Sequence, residues 1–275
     1  MKQLNIAAIQ MVSGCQVARN IETMQKWVKQ AAQQGAQWVL LPEYWCLMGK
    51  NDHDKCAIAE QLGDGGILQT ALSQAANDNQ IVLFGGTVPL QTAHQHKVYN
   101  ALLVYGKEGQ LLNQYNKMHL FGFQKNEDYY AEADSIIAGS LIPHFTQDNW
   151  QVAQGICYDL RFPEFFRAQL PFEVLMLPAA FTYQTGLAHW LLLLRARAVE
   201  NQCFVVAAAQ GGRHENGRRT FGHSVIINPW GEIMAQCEEG EGIAQAVLNK
   251  TELETIRQQL PALQHRLLNI NIQAA

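Results

Sequence analysis

Between Trp150 and Cys157 the chain runs through a largely apolar stretch that reads as a buried strand and stops at a cysteine. Pro163 then stands where a helix would begin, followed by Glu164-Phe165-Phe166-Arg167. Proline suits a first helical turn, because its φ is already fixed and its missing N–H would have no partner there. A strand that hands over to a helix across a short turn belongs in a sheet with helices packed on its faces. The same turn is a place for chemistry. A rigid strand fixes the sulfur, and free N–H groups at the helix start favour a thiolate and an oxyanion. The ordinary fate of a cysteine is a buried packing residue, so the rest of the chain has to decide.

The flanking pattern repeats this strand and helix alternation. Leu4–Val12 reads as a strand, and Asn20–Gln34 as a helix with Ile21, Met24, Trp27, Val28 and Ala31 on one face, stopped at Gly35. Gln37–Leu41 is a strand ending at Pro42-Glu43, Ile67–Asn79 a helix, and Ile81–Val88 a strand carrying Gly85-Gly86. Val98–Tyr105 and Leu111–Tyr115 form a hairpin about Lys107-Glu108-Gly109. The charged and aromatic segment 116–140 lacks a period and reads as a long functional loop. Beyond the cysteine come helix Pro163–Leu170, strand Val174–Leu177 and helix Gly186–Asn201. Strands Cys203–Ala209, Gly222–Asn228, Ile233–Gln236 and Gly242–Leu248 precede a final helix, Thr251–Leu260. No repeat, low-complexity tract or linker interrupts this order, so residues 1–275 read as one α/β or α+β domain.

Composition excludes several classes. A net charge of −4 gives no basic stripe for nucleic acid. The six cysteines are scattered without a C-x-x-C pair, against a zinc ribbon or a disulfide framework. No run approaches the about 18 apolar residues of a membrane span. The N-terminus reads as a strand rather than a signal peptide, so a reducing cytoplasm is expected. His94-Gln95-His96 lacks a third metal ligand.

Three strand ends carry reactive groups: Glu43, Lys117 and Cys157. Ligands of open α/β sheets sit beyond such ends. A carboxylate can take the thiol proton, and an ammonium with a backbone N–H can stabilise the oxyanion formed when the thiolate attacks an amide or nitrile. A Cys–His pair drawn from His189, His214 or His223 is the competing arrangement.

Leu41-Pro42-Glu43, Tyr115-Asn116-Lys117-Met118-His119-Leu120 and Gly155-Ile156-Cys157-Tyr158-Asp159-Leu160-Arg161-Phe162-Pro163-Glu164 resemble, in order and spacing, the three signature motifs of the nitrilase superfamily of carbon–nitrogen hydrolases. The segments Ala188-His189-Trp190, Ala207-Ala208-Ala209-Gln210-Gly211-Gly212 and Phe221-Gly222-His223-Ser224 are similar to its branch of deaminated glutathione amidases and ω-amidases. The resemblance implies a four-layer α-β-β-α sandwich, paired as a homodimer or a larger even assembly. It implies Glu43 as general base, Cys157 as nucleophile, and Lys117 with the Tyr158 backbone N–H at the oxyanion. It places an assisting second glutamate at Glu132, with Glu127 the competing position, and needs no metal or organic cofactor. The implied reaction is hydrolysis of the terminal carboxamide of a small acidic substrate to acid and ammonia through a thioester. Deaminated glutathione leads as substrate, with α-ketoglutaramate, succinamate and N-carbamyl amino acids as alternatives. A catalytically silent ligand-binding relative is the non-enzyme alternative.

For the substrate pocket the candidates are Tyr44, Tyr158, Arg161, Phe181, Thr182 and Thr185. Arg161 is placed either to grip a carboxylate or to pair with Glu164. Backbone N–H groups at the start of the helix after Phe181 are a second anion site. Asp159 reads as a structural acid at a helix start. Leu191 follows His189-Trp190 where many relatives of this branch carry an acid, and the tail Leu267-Leu268-Asn269-Ile270 lacks the family's usual ending. Both departures bear on substrate identity.

Overall fold

The computed structural model describes residues 2–125 and 128–268, with the backbone alone at 124, 125 and 128–130. In chain order it begins with β1 (Gln3–Gln10), α1 (Val17–Gln33), β2 (Trp38–Leu40), α2 (Asp54–Ala57), α3 (Ile67–Asp78), β3 (Val82–Gln91), β4 (Val98–Tyr105) and β5 (Leu111–Asn116). A short hairpin follows, β6 (Gly122–Lys125) with β7 (Asp128–Ala131), then a 3-10 turn at Glu132–Asp134. Next come β8 (Phe145–Gln147), β9 (Trp150–Gln154), a 3-10 turn at Cys157–Arg161, α4 (Pro163–Arg167), β10 (Val174–Ala179) and α5 (Tyr183–Asn201). The chain continues through β11 (Phe204–Ala209), β12 (Gly211–Arg213), β13 (Arg219–Phe221), β14 (Val225–Ile227), β15 (Ile233–Gln236), β16 (Gly242–Asn249) and α6 (Lys250–Gln259).

Among the described residues two six-stranded sheets form, β16-β1-β2-β3-β4-β5 and β15-β14-β11-β10-β9-β8. Strand periodicity decides their stacking. Leu4, Ile6 and Ala8 of β1 face the second sheet, in one core with Val152, Met176, Val206 and Ile226. Ala7 and Ile9, the alternate residues, join Met24, Val28 and Ala31 of α1 and Leu68 and Leu72 of α3 in a separate core. On the far side, Trp190, Leu194 and Ala198 of α5 cover the second sheet. The layers are thus helix, sheet, sheet, helix, as the resemblance implied.

Five sequence expectations are corrected. The cysteine does not end a strand: β9 stops at Gln154 and Cys157 opens the 3-10 turn. The helix at Pro163 stops at Arg167, short of Leu170, and α5 starts at Tyr183, ahead of Gly186. Segment 116–140 is not all loop, since β6, β7 and the turn at Glu132 lie within it. Gly222–Asn228 splits, because Gly222 (φ 72°) and His223 (φ 58°) take left-handed backbone and only Val225–Ile227 continues the sheet. Glu127, Asn269 and Ile270 lie outside the described residues.

Candidate active site

The central parallel strands of both sheets, β1–β2–β3 and β9–β10–β11, point their carboxyl ends to one place. Glu43 follows β2 and Lys117 follows β5, on the first sheet. Cys157 follows β9, and Ala180 follows β10, on the second.

Glu43 is delivered by a close backbone packing. Between Phe84 and Thr87 the β3–β4 register shifts, and Gly86 (φ 51°) lies against the Pro42 carbonyl, 2.2 Å from where its own Cβ would be. Only glycine takes that conformation with that neighbour. Thr87 Oγ1 then accepts the Tyr44 N–H at 2.9 Å. Gln210 Nε2, held by Ser13 Oγ at 2.8 Å, donates to the Glu43 carbonyl at 3.1 Å. Tyr44 (φ 56°) and Cys157 (φ 46°) are both non-glycine residues in left-handed backbone. Such strain persists where the surroundings over-determine it.

Asp159 fastens the cysteine turn to the end of β5. Its carboxylate accepts from the Ile156 N–H (2.8 Å), the His119 N–H (3.0 Å) and the Tyr115 hydroxyl (2.7 Å), a structural role as expected. Buried Arg197 of α5 donates to the Leu160 carbonyl from Nε (3.1 Å) and Nη2 (2.7 Å) and pairs with Glu200 at 2.8 Å.

At the centre lies Lys117, fully buried. Its Nζ donates to Glu43 Oε1 at 2.9 Å and to both oxygens of Glu132 at 2.9 and 2.8 Å. An ammonium has three protons, so these bonds occupy it fully. Glu132 also accepts from the Tyr44 hydroxyl and the Phe121 N–H, both at 2.7 Å. Glu43 Oε1 takes a further bond from Asn100 Nδ2 at 2.9 Å. The Cys157 thiol lies beside the Glu43 carboxylate and the Ala180 backbone N–H. Among the described residues no hydrogen bond joins Cys157 to a histidine. His189 contacts Arg161, His223 the Phe221 carbonyl, and His214 the Ser13 carbonyl and Thr220.

The two carboxylates are driven apart electrostatically. Burial raises Glu43, and Lys117 only partly offsets it, so its proton affinity sits above the ordinary carboxylate range. Burial acts on Glu132 too, but Lys117, the Phe121 N–H and the Tyr44 hydroxyl outweigh it and hold Glu132 below that range. Burial also works against the Lys117 charge, yet Glu132 and Glu43 keep it well above the usual ammonium value. The Cys157 thiol is pushed well up by burial and then by Glu43. This reverses the sequence expectation of a thiolate-favouring turn. Depth, which the local turn geometry does not reveal, dominates.

Glu43, Glu132 and Cys157 floor a solvent-open cleft with about 1000 Å3 of empty space. Tyr44, Tyr158, Arg161, Phe181, Thr182 and Thr185 all line it. Lys117 sits behind its floor. Arg161 lies over the Phe181 ring at 5.5 Å and the Tyr158 ring at 5.9 Å, with His189 Nδ1 3.3 Å away. Among the described residues it forms no ion pair with Glu164 or any other acid. The start of α5 is capped, since Thr182 Oγ1 accepts the Thr185 N–H at 3.4 Å and the two hydroxyls meet at 2.8 Å. The anion site expected of free N–H groups there is therefore partly filled from within. Sequence reading missed Asn100, Ala180 and the cleft residues Lys55, Asp52, Arg218 and Arg219. The charged run Asn51-Asp52-His53-Asp54-Lys55, just after Glu43, was the available signal for two of them.

The family model for carbon–nitrogen hydrolases matches residues 5–258. The chain is a carbon–nitrogen hydrolase. The deaminated glutathione amidase of Synechocystis sp. is 37% identical over 273 residues, covering 97% of this chain and 99% of its own. Among solved structures, yeast Nit3, a member of branch 10 of the nitrilase superfamily, superposes with a TM-score of 0.87 at 27% identity, covering 97% of each chain. The Caenorhabditis elegans NitFhit protein also gives 0.87, at 31% identity over 97% of this chain, which spans 66% of that longer one. This carbon–nitrogen hydrolase is an amidase, acting on the carbon–nitrogen bonds of linear amides.

Proposed function

We propose that this amidase cleaves deaminated glutathione through a Cys157 thioester. The observation that carries the reading is the buried Glu43–Lys117–Glu132 cluster beneath Cys157, at the floor of a cleft whose wall holds Arg161, which has no acidic partner among the described residues.

Cys157 attacks the amide carbonyl as Glu43 takes the thiol proton. The raised Glu43 suits it to that role, because it holds a proton better than a surface carboxylate does. The negative charge passes from Glu43 to the oxyanion, so the total around Lys117 is unchanged. Neutral Glu43 accepts more weakly from Lys117, and one ammonium N–H can turn to the oxyanion. The Tyr158 N–H lies ahead of the turn's first bond, Asp159 N–H to the Ile156 carbonyl, and supplies a second donor. Glu43 returns its proton to the leaving nitrogen. Water then adds to the thioester with Glu43 again as base, and Cys157 departs with its proton. Glu132 stays ionised throughout and holds Lys117 in place.

One expectation needs chemical correction. Glutathione without its α-amine has no terminal carboxamide. Its scissile bond is a secondary amide, so the leaving group is the amine of cysteinylglycine rather than ammonia. The test is to measure amine release from deaminated glutathione, and ammonia release from α-ketoglutaramate, succinamate and an N-carbamyl amino acid, with Cys157→Ala as blank. Preference for deaminated glutathione supports the reading. Preference for either ω-amide makes the protein an ω-amidase, and no turnover of any of the four removes the substrate reading.

A further inference from the structure

Besides Arg161 the cleft is lined by Lys55, Arg218 and Arg219, and of these three Arg218 pairs with Asp52 and Arg219 with Glu239, which leaves Lys55 to be accounted for. Lys55, in the four-residue helix α2, lines it beside Tyr44. Its Nζ donates to Ser135 Oγ at 3.0 Å and lies 5.6 Å from the centre of the Tyr44 ring. Among the described residues no carboxylate stands within ion-pair distance of it. The nearby acids are committed elsewhere: Asp52 to Arg218 at 2.6 Å, and Glu132 to Lys117. Burial lowers the Lys55 ammonium below its ordinary value, only partly offset by Asp52 and Glu132. A part-buried ammonium held by one hydroxyl and a ring is a cation still short of an anion.

Its position gives that anion a place. Lys55 reaches the cleft from α2, against Tyr44, the neighbour of Glu43. Arg161 reaches it from the second sheet, against Tyr158, the neighbour of Cys157. The two cations therefore line the one cleft that Cys157 and Glu43 floor, each against the aromatic neighbour of one of these two residues. A substrate with one carboxylate would pair one of them and leave the other exposed to a drier cleft.

We propose that Lys55 is a specificity-determining residue that binds a second substrate carboxylate, across the scissile amide from the one bound by Arg161. The preferred ligands are then diacids with one acid group on each side of the amide. This rests on the amidase reading of the cleft and narrows its substrate class.

The test is calorimetric binding to Cys157→Ala protein, which cannot consume the ligand. The probes are N-glutarylglycine, which has both carboxylates, and its two mono-amides, N-glutarylglycinamide and N-(4-carbamoylbutanoyl)glycine. Lys55→Met and Arg161→Met should each weaken N-glutarylglycine binding by roughly tenfold to a hundredfold, the scale of a lost charged hydrogen bond. The decisive pattern is crossed: Lys55→Met weakens only one mono-amide and Arg161→Met only the other. Lys55→Arg should restore most of the affinity, and unchanged thermal melting excludes a folding defect. Equal weakening of all three ligands by Lys55→Met, no weakening, both variants sparing the same mono-amide, or no binding of the diacid overturns the proposal. The crossed pattern without turnover of deaminated glutathione removes that substrate alone. Turnover of deaminated glutathione without the crossed pattern removes Lys55 alone.

Discussion

Burial and the Glu43 carboxylate both keep the Cys157 proton on sulfur, so in the proposed thioester route attack and proton transfer are coupled. Alkylation of Cys157 by iodoacetamide at neutral pH should accordingly be slow in an active enzyme, and slow labelling does not mark a silent relative. Cys157→Ala should lower turnover by about 10⁴-fold or more while leaving the melting temperature near wild type; retained activity would remove the thioester route. The acid limb of kcat/KM should lie above the ordinary carboxylate range if Glu43 is the base proposed, because it would then have to be ionised and its folded proton affinity is raised. Glu132 has the opposite sign. Its folded value is lowered, so it contributes stability above its unfolded value near 4.5, and that contribution fades as pH falls through the folded value. Glu132→Gln should therefore cost roughly 2–4 kcal/mol near neutrality by releasing Lys117. Thermal melts of the pair should converge as the pH drops below that window. A constant difference at all pH values would contradict the assignment.

At the scale of elements, the site depends on where strands end and which backbones can touch there. The β3 bulge at Gly86 makes room for the Pro42 carbonyl and so aims Glu43. Gly86→Ala adds a methyl where the backbone leaves no space and φ is left-handed. It should destabilise the fold by about 1–3 kcal/mol and lower kcat more than it raises KM, since it moves the base rather than the pocket wall. Chemical denaturation and steady-state kinetics check both parts. From sequence, Gly85-Gly86 could be read only as a turn or a close packing, because the neighbour it packs against, the turn after β2, lies more than forty residues away.

The whole molecule presents an unusual outer helix. Trp190 and Leu194 of α5 are buried on the second sheet, while Leu187 (66%), Leu192 (68%) and Val199 (49%) are exposed on its other sides. Apolar side chains exposed on a helix whose other face is already buried, here interspersed with Gln184, His189 and Arg195, mark a surface that a further layer can cover. We propose that α5 pairs with its counterpart in a second chain, extending the helix–sheet–sheet–helix stack. Light scattering should then give a mass of two 30.8 kDa chains or an even multiple, and Leu192→Asp should shift it toward one. A wild-type mass of one chain would remove the proposal.

The sequence alone singled out Glu43, Lys117 and Cys157 as candidates, each in a short motif that can be read from neighbours along the chain. The layer order was legible only by resemblance, since the pattern of strands and helices left the number of sheets open; the structure is what turns Ile6 and Ala7 of β1 to different cores. Three features depended on the tertiary structure. Depth raised the Cys157 thiol instead of lowering it. The contest for Lys117 separated Glu43 from Glu132. The meeting of two sheets brought Lys55 and Arg161, over a hundred residues apart, to one cleft. Proton affinity and charge pairing depend on what stands nearby in space, and a local pattern records only what stands nearby in the chain.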